Sequence, residues 1–223
     1  MVLIITHNNE RTLNSTILNS EKLGFIVHPV NDGPHYKTVI KAYTLASTFT
    51  GEWFVLMGGD QYLLDNAMDD ILNAIKDVDD KVFCLSGTGY DYLNISTRMM
   101  APVIYRVGYM KEALRFCKQL NDKVLRPESF VVAKMKKKGY ISVKKSLVVA
   151  NHDFDQYYID IYNKGKSQAA RGRITDNVLS KIQKSNEIDH KIFLQGINDF
   201  RSNTSTDIFK KFNIFNIVEK DPL

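Results

Sequence analysis

The stretch GEWFVLMGGDQYLLDNAMDDIL, Gly51 to Leu72, decides how the rest of the chain is read. Its apolar run Trp53–Met57 has the pattern of a buried strand, and it stops abruptly at Gly58, Gly59 and Asp60. Two glycines at a strand end leave room for a backbone or a ligand to come close. A carboxylate just after them is placed either to ligate a divalent cation or to cap the next helix, and spacing alone does not choose. The segment that follows, Leu63–Asp77, carries apolar residues at Leu64, Ala67, Met68, Ile71, Leu72 and Ile75, which predicts a helix.

The same alternation extends on both sides. Val2–Thr6 is a β-branched apolar run that predicts a strand. Glu10–Leu23 has helical spacing and Gly24 stops it; Phe25–Val30 predicts a second strand, closed by the turn Asn31-Asp32-Gly33-Pro34. Tyr36–Thr48 predicts a helix and Lys81–Leu85 a fourth strand. Alternating strands and helices imply an α/β fold with a parallel sheet and helices on both faces. Ligands of such sheets bind beyond the carboxyl ends of the strands. Three polar clusters fall there: Thr6–Glu10, Asn31–Gly33 and Gly58–Gln61. Further on, Gly87–Met100 reads as a loop and Met110–Asn121 as a helix. Another helix opens at Arg126-Pro127-Glu128-Ser129 and ends at Lys138-Gly139, and Tyr140–Ala150 is β-rich. A helix is expected from Gln156, and residues 176–223 read as helices packed on the sheet domain.

Composition bounds the class. The chain has 223 residues, 44% apolar and 25% charged, which are globular values. No apolar run reaches the ~18–20 residues needed to cross a bilayer, and VLIIT opens without the pattern of a secretory signal. Cys84 and Cys117 sit in apolar segments and are expected to be buried free thiols in a reducing compartment. A net charge of +5 favours anionic partners without choosing among nucleotides, nucleic acid and lipid headgroups. Lys134, Lys136, Lys137 and Lys138 suit the last turn of a helix, where cations offset the dipole and Gly139 caps, better than a nucleic-acid patch. Weak attraction to an anionic membrane is the other reading of them.

VLMGGDQYLLDNAMDDIL resembles the segment of family 2 glycosyltransferases of the GT-A fold that carries their Asp-X-Asp motif. In that alignment Gly58 takes the first acidic position and Asp60 the second, the one that ligates the metal in such enzymes. The missing first acid is a departure that leaves a nucleotide-ribose contact unassigned. VLIITHNNERTL is similar to the family's opening strand and its loop against base and ribose, which points to Thr6, His7, Asn8 and Glu10. PVNDGP resembles the Val-Asp-Asp-Gly-Ser turn, with Asn31 at the base-reading position and Asp32 next to it. LRPESFVVAKMKKKGYISV puts Glu128 at or beside the acid that serves as catalytic base. The first turn of a helix also explains a carboxylate there without catalysis. In VVANHDFDQYY, His152 corresponds to a metal- or diphosphate-contacting histidine. The alternative is a loop residue beside a capping box, Asp153-x-x-Gln156. Tyr157, Tyr158, Ile161 and Tyr162 have core spacing. Arg171 and Arg173 suit a solvated helix end, or else a diphosphate contact.

The resemblance covers roughly residues 1–165. It implies a GT-A-type (Rossmann-like), mixed and mainly parallel sheet flanked by helices as the nucleotide-sugar-binding and catalytic domain, 1–165, with a C-terminal helical extension, 166–223. It further implies inverting transfer of a sugar from a nucleoside-diphosphate donor to the hydroxyl of a glycan or lipid-linked acceptor, as in surface polysaccharide assembly. Base and ribose are expected against Thr6–Glu10, Asn31 and Asp32, with the diphosphate by Gly59, Asp60 and His152 around Mg²⁺ or Mn²⁺ and Glu128 as base. Donor choice would lie in Tyr90–Tyr105. The expected location is cytoplasmic, with peripheral contact at the inner membrane face and no nucleic-acid partner. Two alternatives stay open. A non-catalytic nucleotide-sugar- or carbohydrate-binding protein is favoured by Gly58. A nucleotidyltransferase is disfavoured because THNNERT lacks a Gly-rich phosphate loop.

Overall fold

A computed structural model describes residues 1–10, 12–91, 96–124, 126–152, 157–185 and 187–204. They divide into a sheet unit, within Met1–Tyr90 and Thr97–His152, and a second unit, within Asp91–Ser96 and Asp153–Leu223.

The sheet contains β1 (Val2–Thr6), β2 (Ile26–Val30), β3 (Trp53–Gly58), β4 (Gln61–Leu63), β5 (Val82–Asp91), β6 (Ser96–Arg106) and β7 (Ile141–His152), in the spatial order β2-β1-β3-β6-β5-β7-β4. β1 runs parallel to both β2 and β3, whereas β6 is antiparallel to β3 and β4 is antiparallel to β7. The register puts Thr6 opposite both Val30 and Gly58. The parallel strands therefore end level, and the loops after them open on one edge, as the alternating pattern predicts.

Period-two alternation explains why β1 and β3 read as unbroken apolar runs: both faces of the sheet are covered. Leu3, Ile5, Val55 and Met57 pack with Leu13 and Ile17 of α1 (Leu13–Lys22) and with Ala67 and Ile71 of α3 (Ala67–Ala74). Ile4, Phe54 and Leu56 join the opposite core with residues of three other helices. These are Val39 and Tyr43 of α2 (His35–Ala46), Met110 and Cys117 of α4 (Met110–Cys117), and Val131 and Met135 of α5 (Pro127–Lys137). Burying each such side chain contributes about 1.5–3 kcal/mol, so the two cores fix the strand ends and the loops on them. Cys84 and Cys117 are free and buried, and burial pushes their thiols up to about 11 and about 12.

Two expectations change. Gly87–Met100 is not one loop: β5 continues to Asp91 and β6 starts at Ser96, with 92–95 outside the described residues. Gly87 is a strand glycine in a tight place, since a Cβ there would lie 3.4 Å from the Leu147 carbonyl oxygen. The helix expected over Leu63–Asp77 shrinks to α3. The residues before it form β4, paired Gln61↔His152, Tyr62↔Asn151 and Leu63↔Ala150. The lysine cluster closes α5 as expected, and Gly139 follows at φ +94°.

The second unit holds α6 (Tyr158–Ala170), α7 (Asp176–Ser185) and α8 (Glu187–Arg201) around Ile161, Tyr162, Ile182, Ile192, Phe193 and Ile197. α6 and α8 meet backbone to backbone. A Cβ at Gly165 would lie 2.3 Å from the Phe193 carbonyl oxygen, and one at Gly196 would lie 2.1 Å from that of Tyr162. The buried Tyr162 hydroxyl donates to Asp199 Oδ2 at 2.9 Å. Arg171 caps the end of α6 and Arg173 follows it. The Asp153-x-x-Gln156 box lies outside the described residues. Among those residues no helix is long and apolar enough to cross a membrane.

Candidate functional site

The Gly58–Gln61 turn is held by hydroxyls. Thr6 Oγ1 donates to the Met57 carbonyl (3.1 Å) and the Gly59 N–H to the Thr6 carbonyl (2.9 Å). From α1 and the residue before it, Thr12 donates to the Gly59 carbonyl at 2.7 Å, and Thr16 reaches the carbonyls of Gly59 (3.1 Å) and Gln61 (2.9 Å). All three threonines are buried. The β4–β7 pairing brings His152 beside this turn, and its Nε2 lies 3.3 Å from Asp60 Oδ2. The side chains are only 14% and 23% exposed, so the pair is shielded from bulk water.

A side chain at Gly58 would meet the Asp60 carboxylate. A Cβ there would lie 2.6 Å from Asp60 Oδ1, closer than atoms pack, so any side chain displaces that carboxylate. The first acid of the family pattern would therefore require the Asp60 carboxylate to move from where it lies here. Gly59 is nearly as tight, with Glu10 Oε2 at 3.0 Å and His7 Cβ at 3.1 Å from where its Cβ would be.

A cavity of about 450 Å³ opens in the sheet unit beside this turn. Thr6, Gly58 and Gln61 line one part of it, and His152, Tyr105 and Lys144 come from neighbouring strands. His35, the first residue of α2, Ser86 of β5, and Arg126, Glu128 and Ser129 at the start of α5 supply the rest of its polar lining. Glu128 Oε1 lies 3.1 Å from His35 Nε2. Burial alone pushes the Glu128 carboxyl up. The hydrogen bond and charge of His35, the residue's own backbone N–H and the charge of Arg126 outweigh it and hold Glu128 below the usual carboxylate range, hence ionised. The first-turn position on α5 acts in the same direction. Behind them the Tyr43 hydroxyl donates to that of Tyr105 at 3.1 Å; burial pushes both phenols well up, so they stay neutral.

Thr6, Glu128 and His152 therefore share one cavity, and Asp60 joins it through His152. His7, Asn8, Glu10, Asn31, Asp32 and Gly59 lie on the same strand-end edge but outside the lining. Most are engaged in local turns. Glu10 Oε2 accepts the Asn8 N–H (2.7 Å), His7 Nδ1 the Asn9 N–H (3.3 Å), and Asn31 Oδ1 the Gly33 N–H (3.0 Å). Asp32 is exposed, and its N–H donates to Thr38 Oγ1 at 3.1 Å. His35, Gln61, Arg126 and Lys144 are the lining residues that sequence reasoning passes over. His35 carries one legible signal, its place directly after the Asn31–Pro34 turn at a helix start.

Asp60 and His152 offer one carboxylate oxygen and one imidazole nitrogen, a donor pair that suits Mn²⁺ better than Mg²⁺, which takes oxygen ligands. Among the described residues no group of three or more His, Cys, Asp and Glu is placed to hold a metal.

No family model matches the sequence, and no curated protein matches it. Solved structures show partial likenesses. A glycosyltransferase involved in glycosylation of the major capsid of PBCV-1 is 10% identical with a TM-score of 0.48, over 68% of this chain and 92% of that one. The 2-C-methyl-D-erythritol 4-phosphate cytidylyltransferase of Francisella tularensis is 11% identical with a TM-score of 0.44, over 66% and 90%. The inositol-1-phosphate CTP transferase from T. maritima is 11% identical with a TM-score of 0.43, over 92% and 78%. Likenesses of this depth carry no argument about the chain's reaction.

Proposed function

We propose that the chain transfers a sugar from a nucleoside-diphosphate sugar to an acceptor hydroxyl. The observation that carries this reading is the single cavity whose wall holds both Glu128, kept ionised by His35, and His152, paired with Asp60. Glu128 and the Asp60–His152 pair supply two chemical poles. At one, an ionised carboxylate accepts the proton of an acceptor hydroxyl as that oxygen bonds to the anomeric carbon. At the other, the bond from the anomeric carbon to the diphosphate oxygen breaks and the nucleoside diphosphate leaves. A single base opposite the leaving group implies inversion. Asp60 and His152 would hold Mn²⁺ or Mg²⁺, which neutralises charge on the leaving diphosphate. The strand-end loops Thr6–Glu10 and Asn31–Gly33 would receive base and ribose, and a glycan or lipid-linked alcohol is the acceptor class.

Glu128→Gln keeps the size of the side chain and removes its basicity. Turnover is expected to fall by about 10²–10⁴-fold while nucleotide-sugar binding by calorimetry is retained. Unchanged turnover removes Glu128 from the mechanism. Nucleotidyl transfer is a second reading, favoured by the cationic wall of Arg126, Lys144 and His35. The released product separates the two: free nucleoside diphosphate from a nucleotide sugar supports glycosyl transfer, and inorganic pyrophosphate from a nucleoside triphosphate and a sugar phosphate supports nucleotidyl transfer.

A further inference from the structure

Gln61, the first residue of β4, lies on the cavity wall and is only 4% exposed. Its side-chain oxygen Oε1 is buried and has no hydrogen-bond partner among the described residues. Leaving an amide oxygen unsatisfied costs stability, and an apolar side chain of the same length would line the wall without that cost. The rest of the cavity does not share the defect. Asp60 has His152, Glu128 has His35, and Tyr105 has Tyr43. The backbone of Gln61 is also committed, its carbonyl accepting from Thr16 and its position paired with His152. The unmet acceptor therefore sits on a rigid element, next to the Asp60–His152 pair. Gly58 on the same wall has no side chain to cover it. The terminal torsion of glutamine is soft, so the amide can turn its oxygen to a donor that enters the cavity.

We propose that Gln61 is a specificity-determining residue: its side-chain oxygen accepts a hydrogen bond from a hydroxyl or amide N–H on the sugar of the bound nucleotide sugar. The site then takes sugars that carry a donor at that position and rejects the analogue that lacks it. A pocket built to hydrogen-bond a group discriminates strongly against its absence, because the protein's own polar atom is left unpaired. This assignment rests on the nucleotide-sugar reading above.

The test compares wild type with Gln61→Met, which keeps length and volume and removes the amide, and with Gln61→Leu as a second shape. Thermal melts of the free proteins are combined with calorimetric titration of UDP-glucose, UDP-N-acetylglucosamine, GDP-mannose, UDP and GDP. The expected result has three parts. The Tm of Gln61→Met equals or exceeds that of wild type. The sugar nucleotide that binds wild type binds the variant roughly tenfold or more weakly. The matching bare nucleoside diphosphate binds both within about twofold. Three results overturn the assignment: equal affinity of wild type and both variants for the sugar nucleotide, an equal loss for the bare nucleotide, or a Tm several degrees lower in both variants, which means the amide is held by bonds within the protein. If no probe binds wild type, the nucleotide-sugar reading fails and the role of Gln61 goes with it. If sugar nucleotides bind and the variants are indifferent, only Gln61 is set aside.

Discussion

Replacing His35 with alanine isolates the ion pair that keeps Glu128 charged and leaves Glu128 in place. The two groups are 3.1 Å apart. Unit charges at that separation attract by about 1.3 kcal/mol in water and by about 5 kcal/mol at an effective dielectric constant of 20. The His35 side chain is 57% exposed and that of Glu128 30%, so the watery limit governs. Ordering two side chains trims the gain further, to about 0.2–1 kcal/mol. The sign follows from the direction of the shift. The folded Glu128 carboxyl is held below its ordinary value, so its stabilisation is full above that ordinary value and is lost as pH falls through the lower folded one. Urea denaturation of wild type and His35→Ala from pH 3 to 6 should show a gap that is small in acid and widens as the Glu128 carboxyl ionises. A gap constant across pH, or none at pH 5.5, would refute the pairing.

Gly58→Asp restores the acid of the family pattern, yet its Cβ would stand 2.6 Å from Asp60 Oδ1, where ordinary contact begins near 3.4 Å. The Asp60 carboxylate must retreat by about 0.8 Å or rotate away from His152, and turnover should fall below that of wild type; a gain counts against the geometry. Tyr105→Phe removes the acceptor of the buried Tyr43 hydroxyl and should cost about 1–3 kcal/mol in denaturant titrations. The double variant with Tyr43→Phe should recover most of that loss. Gly165→Ala drives a methyl into the Phe193 carbonyl, 2.3 Å away, and should destabilise α6 and α8 by about 1–3 kcal/mol or more, read as faster amide exchange in both helices.

The parallel part of the fold is legible because both faces are buried: VLIIT and WFVLM carry the strand signal in their own residues. Level strand ends then follow from parallel pairing, which is why three distant polar clusters could be assigned to one edge. β4 was not legible. A three-residue strand has no pattern of its own and exists through its ladder to β7, about ninety residues later. Glycines and polar residues in Gly87–Met100 look like loop composition, while their strand state is fixed by neighbours on either side. Glu128 and Asp60 announce themselves by position, one after a helix-opening proline and one after a glycine pair. His35 does not, because its role comes from the arrival of α5 at the start of α2. Gln61 is the sharper case, since an unpaired oxygen is a property of surroundings and leaves no mark in the residue string.

The three threonines that grip the Gly58–Gln61 turn have a kinetic consequence. The hydroxyls of Thr12 and Thr16 and the backbone carbonyl of Thr6 hold that segment when the chain folds, so an arriving ligand finds it already shaped and surrenders little backbone freedom there. Capture at this end of the cavity should then follow the rate of encounter, without a slow rearrangement phase in stopped-flow traces.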